Sequence, residues 1–323
     1  MRIHSPTDER LARMRVADAA AQVAGSRTRY WSYEAGPDDA TTTIVLVHGF
    51  RGTHHGLLPV VAQFAPDSPH AAGDRNQSIR FIAPDLPGFG ESDPLPAGHS
   101  LDDYAAWLAA FLEHVDPAGS AVVLGHSFGS LIVARDVRML APRRILLVNP
   151  IAAPALEGTA AVGTRLAILY YWLGAALPVG LGNALLRNRL ITRVMSEVMA
   201  VTRSRALRAW IHREHDRHFS SFHDRDTLLE AFRASVSDSV LAHAAQLPAG
   251  TSLIAGARDA IAPIEAQLAL AEAAPQASLR VIDGVGHLVH YETPAAAARL
   301  IRAAIDEWGA HANSTASTGE SPR

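Results

Sequence analysis

Short apolar runs, rich in β-branched residues, recur along the chain: Thr43–Val47 (TIVLV), Ile79–Ala83 (IRFIA), Ala121–Leu124 (AVVL), Arg144–Val148 (RILLV), Ser252–Ala255 (SLIA) and Leu279–Ile282 (LRVI). None alternates with polar residues, so each reads as a strand buried on both faces, as in a parallel sheet. Helical patterns fill the gaps. Ser100 with Asp103 three residues on makes a capping box, and Tyr104, Leu108, Phe111 and Leu112 form the apolar stripe of the helix it opens. Further helices are predicted after Ser127, Pro263 and Pro294. Strands and helices in alternation predict an α/β fold with a doubly wound, mostly parallel sheet, whose ligands lie beyond the carboxyl ends of the strands.

Residues 152–247 interrupt the alternation with helical stretches and no clear strand, and are read as a helical cap inserted into the sheet domain. The expected organisation is an N-terminal helical extension over 1–25, a first core part over 26–151, the cap over 152–247, a second core part over 248–309 and a disordered tail over 310–323. Ser5-Pro6 looks like a helix start, with Ser5 as N-cap. The apolar segment Leu166–Leu181 spans about 16 residues and contains Pro178, Gly174 and Gly180. A membrane span needs roughly 20 apolar residues, so a buried or ligand-facing helix is expected there, and membrane association is disfavoured.

Composition narrows the classes. A chain of 323 residues with 48% hydrophobic residues and a net charge of −3 has enough apolar material for a large core and no basic face for nucleic acid. Cysteine is absent, which removes disulfides, thiolate metal sites and a cysteine nucleophile. Lysine is absent too, so lysine-based chemistry is excluded. Met1–Gly25 lacks the apolar core of a signal peptide, which predicts a cytoplasmic location. Oligomeric state is not legible.

The candidate chemistry lies at the strand ends. Gly125-His126-Ser127-Phe128-Gly129 follows AVVL and precedes a helical pattern. That is the context of a nucleophile elbow, in which flanking glycines allow a strained turn that lifts the serine hydroxyl off the sheet. A serine needs a base, and the base needs a third group to hold it. Asp259 in Gly256-Ala257-Arg258-Asp259 and His287 in Gly284-Val285-Gly286-His287 each follow a strand, in the order serine, acid, histidine. Asn149, at the other strand end where an acid can sit, carries no charge. The backbone N–H groups of Phe128 and of Phe50, after His48-Gly49, are the expected donors to an oxyanion.

Together with Asp85-Leu86-Pro87-Gly88-Phe89-Gly90-Glu91-Ser92, these motifs resemble the consecutive signatures of the α/β-hydrolase superfamily over residues 43–308, the cap apart. The resemblance implies that the Asp85–Ser92 stretch is structural and that Asp85 and Glu91 are not catalytic. It also sets Ser127 against the haloalkane dehalogenases and epoxide hydrolases of this fold, which carry an aspartate at the elbow. The leading expectation is a serine hydrolase of the carboxylesterase or lipase kind, cleaving an apolar small-molecule ester through an acyl-enzyme with no cofactor and no metal. The alternatives are a C–C bond hydrolase of ring-cleavage products and a non-catalytic ligand-binding protein. Tyr170, Tyr171, Trp172, His126 and His290 are expected near the pocket; Arg51 is too, though as a loop arginine it is expected to be solvated. His212, His215, His218 and His223, mixed with Glu214, Asp216 and Asp224, lack the HExxH pattern and are expected to face solvent rather than bind metal.

Overall fold

A computed structural model describes residues 6–35, 42–66, 68, 78–141, 143–154 and 161–317. Eight strands form one sheet: β1 (Arg15–Val23), β2 (Ser26–Ala35), β3 (Thr42–Val47), β4 (Ile79–Pro84), β5 (Val122–His126), β6 (Arg144–Val148), β7 (Ser252–Gly256) and β8 (Ser278–Ile282), in the order β1-β2-β4-β3-β5-β6-β7-β8. β1, β2 and β4 pair antiparallel, and β4, β3, β5, β6, β7 and β8 pair in parallel.

The predicted strands carry the core on both faces. Val45, Val123, Ile145, Leu147 and Leu253 pack on one side with the helices Leu101–Val115 and Phe128–Arg135. Their neighbours in the chain, Ile44, Leu46, Val122, Leu124, Leu146, Val148 and Ile254, pack on the other side with the helix Pro294–Ser317. Because successive side chains of a strand point to opposite faces, an unbroken apolar run serves both layers. The capping box forms as the sequence predicts, with the Asp103 amide donating to Ser100 Oγ and the Ser100 amide to Asp103 Oδ2.

Two expectations at the ends of the chain need correction. Of the predicted N-terminal helical extension over 1–25, only Pro6–Leu11 is helical among the described residues, and Ser5 lies outside them. Arg15–Val23 is instead the edge strand, paired residue by residue with β2 from Arg15↔Glu34 to Val23↔Ser26. Its alanines favour a helix locally, but the ladder and the cross-strand pairs Arg15–Glu34 and Arg29–Asp18 decide otherwise. Ala24 and Gly25, both at positive φ (49° and 78°), make the tight turn between the strands. At the other end, the helix Pro294–Ser317 runs past Gly309, where the tail over 310–323 is predicted to begin. Once Ala298, Ile301 and Ile305 dock the helix on the sheet, propagation needs no new nucleus. Residues 318–323 lie outside the described residues.

Between β6 and β7 the described residues form the helices Ala161–Ala176, Val179–Leu186, Arg189–Met199, Arg205–His218 and Arg225–Ser235. Pro178 divides the apolar segment Leu166–Leu181 into the first two of these. That segment is not buried throughout: Leu166, Leu169, Trp172, Val179 and Leu181 are exposed, whereas Tyr171 is buried.

Candidate active site

The strand order reverses beside β3: β4 lies on one side of it and β5 on the other. Ligand crevices of open α/β sheets sit at such a point, and Ser127 stands there at the end of β5. Its φ of 53° and ψ of −118° are strained for a residue with a side chain. The glycines around it make this turn possible. A Cβ on Gly125 would come within 2.6 Å of Gly129 O, and one on Gly129 would overlap the backbone of Val47. Ser130 braces the turn, donating to Ser127 O and accepting from the Ile151 amide at 3.1 Å.

His287 brings the ends of β5, β7 and β8 together. Its Nε2 lies 2.8 Å from Ser127 Oγ, and its Nδ1 lies 2.7 Å from Asp259 Oδ2. With the proton on Nδ1, the ring donates to Asp259 and leaves Nε2 free to accept from the serine hydroxyl. The Asp259 carboxylate is further held by the Ile261 and Ala262 amides on Oδ1, at 2.8 and 2.9 Å, and by Asn149 Nδ2 on Oδ2 at 2.6 Å. Burial alone would raise the Asp259 pKa. The charge and hydrogen bond of His287, with the Ala262 amide and Asn149, outweigh it and hold the carboxyl below the ordinary carboxylate value.

Asn149 is the participant that sequence reading misses. It is fully buried, donates also to Gly286 O at 3.3 Å, and sits at φ 46°. Asparagine tolerates that conformation better than most residues. The sign available in the sequence was an uncharged but strongly polar residue at the end of β6.

The loop after β3 is fixed from below. Leu86 N donates to His48 Nε2 at 2.9 Å, while His48 Nδ1 lies 2.9 Å from Gly49 O. Burial lowers the His48 pKa to about 4, so the ring is neutral at pH 7. Asp85 is buried and accepts from the His54 amide, His54 Nδ1 and the Glu91 amide at 2.7 to 2.9 Å, all of which tie one loop to the next.

Arg51 departs from its expected solvated state. It is 1% exposed and donates to Phe219 O at 3.0 Å, Leu186 O at 2.8 Å and Tyr171 Oη at 3.3 Å. The guanidinium also lies over the Phe219 and Phe222 rings. These contacts fasten the helical insertion to the loop that carries Phe50. Among the described residues no carboxylate pairs with Arg51, so its charge rests on neutral acceptors and ring faces.

Ser127 opens into a cavity of about 1340 Å³ between the sheet and the insertion. Phe50, Arg51, His126, Phe128, Tyr170, Tyr171 and His290 of the predicted site all line it, but Trp172 does not. One residue along a helix turns a side chain by about 100°, so a buried Tyr171 leaves its neighbour outside; Trp172 is 60% exposed. Further lining residues are mostly apolar, among them Leu166, Ile191, Met195, Met199, Phe232 and Ile261. His126 and His290 pack ring edge to face at 4.3 Å beside the serine. Burial drives the His126 pKa to about 3 and that of His290 well below its ordinary value, and neighbouring histidines add to both effects.

The histidines of the insertion also differ from expectation. His212 and His215 are buried and share Ser196 Oγ at 2.6 and 2.7 Å, and His218 stacks on His55 at 4.0 Å. Only His223, paired with Asp224, is strongly exposed. A helix that packs on the core must turn one side inward, and here that side carries the histidines at positions 212 and 215.

The family model described as "Alpha/beta hydrolase family" matches residues 44–300. The dihydrolipoyllysine-residue acetyltransferase component of the acetoin cleaving system of Pseudomonas putida is 36% identical over 140 residues, covering 43% of this chain and 34% of that protein. A non-heme chloroperoxidase of Streptomyces lividans is 47% identical over 70 residues, covering 22% of this chain and 25% of that one. The chain thus spans about a third or less of the length of these curated relatives. Among solved structures, a thermophilic esterase of Thermogutta terrifontis superposes with a TM-score of 0.68 at 20% identity, covering 90% of this chain and 98% of that one. A meta-cleavage product hydrolase of Pseudomonas fluorescens IP01 superposes with a TM-score of 0.61 at 19% identity, covering 90% and 97%. At these identities the superpositions speak for the fold. With the family model matching most of the chain, the protein belongs to the α/β-hydrolase family.

Proposed function

We propose that this hydrolase cleaves a carboxylic ester with an apolar moiety, using Ser127 as nucleophile, His287 as general base and acid, and Asp259 to orient and stabilise the histidine. The observation that carries the reading is the unbroken hydrogen-bond chain Ser127–His287–Asp259 at the floor of a largely apolar cavity. His287 Nε2 takes the hydroxyl proton as Ser127 Oγ attacks the ester carbonyl, and the resulting oxyanion faces the backbone N–H groups of Phe50 and Phe128. When the intermediate collapses, the C–O bond breaks and His287 protonates the departing alcohol. Water, deprotonated by the same nitrogen, then attacks the acyl-enzyme, and the acid leaves with Ser127 restored. The helices between β6 and β7 act as the cap, since Tyr170, Tyr171, Met195 and Phe232 form part of the cavity wall. A panel of p-nitrophenyl esters of increasing acyl length tests this: hydrolysis abolished by Ser127→Ala supports it, and hydrolysis unaffected by that change refutes it.

A second reading is favoured by Arg51, a buried cation on the cavity wall with neutral partners among the described residues. It would suit an acidic substrate, as in C–C bond hydrolysis of ring-cleavage products. Loss of colour from such a product on mixing with the protein selects this reading; hydrolysis of neutral esters alone rejects it.

A further inference from the structure

The helix Arg189–Met199 keeps Ile191, Met195 and Met199 half-buried along the cavity, yet its most buried positions and its most exposed ones are the reverse of the usual pattern. Its buried positions are polar, Thr192 and Ser196, whereas Leu190, Val194 and Val198, spaced four apart on one stripe, are exposed by 72%, 56% and 69%. A helix that ends at an aqueous surface has the opposite arrangement. The apolar stripe is not alone. Leu166, Ile168, Leu169, Trp172 and Leu173 of the helix Ala161–Ala176 and Val179 and Leu181 of the next are exposed too. Scattered exposed leucines are ordinary, but an accumulation over three consecutive helices marks an interaction surface. Leu166, Val194 and Val198 also line the cavity, so this surface is continuous with its mouth.

Charge selects the occupant. From residue 161 to residue 213 the chain has eight arginines against one acid, Glu197, within a protein whose net charge is −3. Glu197 pairs with Arg193 and Arg208, and Asp216 lies 3.7 Å from Arg189 and 4.0 Å from Arg193, which leaves an excess of arginine on this face. Arg165, Arg187, Arg189, Arg193, Arg203 and Arg205 are all exposed. Apolar residues with tryptophan on one side and arginines around them are the composition of an interfacial helix, which lies in the headgroup region without crossing the bilayer. No helix among the described residues is long and apolar enough to span a membrane, which agrees with lying on the surface. A second copy of this chain on the same patch would bring two arginine-rich faces of like charge together, whereas an anionic lipid surface neutralises them.

We infer that the helices Ala161–Ala176, Val179–Leu186 and Arg189–Met199 form a docking face for an anionic lipid surface, holding the mouth of the cavity against it. The apolar side chains enter the headgroup boundary and the arginines pair with lipid phosphates. Nothing in this inference depends on which bond the enzyme cleaves.

The test uses the full chain with vesicles of phosphatidylcholine alone and of phosphatidylcholine with phosphatidylglycerol. The wild type is expected to co-sediment with the anionic vesicles, to be released by salt, and to show a blue shift in tryptophan emission that is lost in Trp172→Phe. Trp172→Ser combined with Leu190→Ser should weaken the partition more than about tenfold. Arg165→Gln and Arg189→Gln should each weaken it about fivefold. None of these residues lines the cavity, and circular dichroism and thermal unfolding verify that the variants fold. No partition of the wild type into either vesicle overturns the inference. So does equal, salt-insensitive partition into both. A wild-type dimer in light scattering that becomes monomeric in the Trp172→Ser/Leu190→Ser variant also overturns it, assigning the face to self-association.

Discussion

Replacing Asn149 by glycine probes how the acid of the site is held. Asp259 accepts four hydrogen bonds, from His287, Asn149 and the Ile261 and Ala262 amides, and its side chain is fully buried. Glycine deletes the Asn149 donor and accepts the φ of 46° without strain. A hydrogen bond to a charged group contributes about 1.5–3 kcal/mol, so urea unfolding at pH 7 should show a loss of that size. The pH dependence follows from the direction of the shift. The Asp259 pKa is depressed in the fold, so its contribution is present above the unfolded carboxylate value and is lost as pH falls through the folded one. Without Asn149 the folded value rises and the acid loss begins at higher pH. Activity on p-nitrophenyl butyrate should fall about tenfold or more, because His287 then relies on a less firmly held partner. Asn149→Ala adds a Cβ in the left-handed region and should lose roughly 1 kcal/mol more. A glycine variant within about 0.5 kcal/mol of wild type, with unchanged kcat and acid limb, would refute the role given to Asn149.

Other expectations follow from the same contacts. Asp259→Asn should keep the fold and lower kcat by about 10⁴-fold, since the amide favours the wrong histidine tautomer; a loss under tenfold in steady-state assays contradicts it. Arg51→Met should destabilise the protein by about 1–3 kcal/mol in urea by leaving Phe219 O without its buried donor and Leu186 O with only the Tyr170 hydroxyl at 3.4 Å, and an unchanged midpoint argues against the clamp. Gly129→Ala should lower Tm sharply or prevent folding, because its Cβ would overlap the backbone of Val47. His48 and His126 have folded pKa values of about 4 and about 3, below the ordinary 6.5. Their neutral burial therefore supports the fold above pH 6.5 and is lost as pH falls below it, when the unfolded chain takes up protons first. Unfolding free energy should fall as pH drops below 6.5, these two histidines together approaching a slope of two protons near about pH 5, and a flat profile contradicts this.

What the sequence revealed and what it hid have physical reasons. Strands such as Thr43–Val47 and Arg144–Val148 were legible because a run buried on both faces must be apolar at every position. Ser127, Asp259 and His287 were legible as candidates because the chemistry demands those residue types and the glycines at 125, 129, 256 and 286 mark where the chain must turn tightly. β1 was hidden by its alanines, since an edge strand is specified by its partner rather than by its own pattern. Arg51 was misplaced because its burial depends on Leu186 and Phe219, 135 and 168 residues further along. Asn149 acts only through contacts with Asp259 and Gly286, which no local pattern encodes. The orientation of Arg189–Met199 was legible in neither direction: a strong apolar stripe says that one face is buried against something, not that the something is another part of the chain.

The central claim is that Ser127 is an activated nucleophile, and covalent labelling tests it most directly. Incubation with a fluorophosphonate, followed by intact-mass and peptide mass spectrometry, should place one adduct on Ser127. Labelling should disappear in Ser127→Ala and slow by orders of magnitude in His287→Ala, in parallel with loss of p-nitrophenyl ester hydrolysis. An unlabelled Ser127 in folded protein, or a Ser127→Ala variant that still hydrolyses the ester at the wild-type rate, would contradict the account.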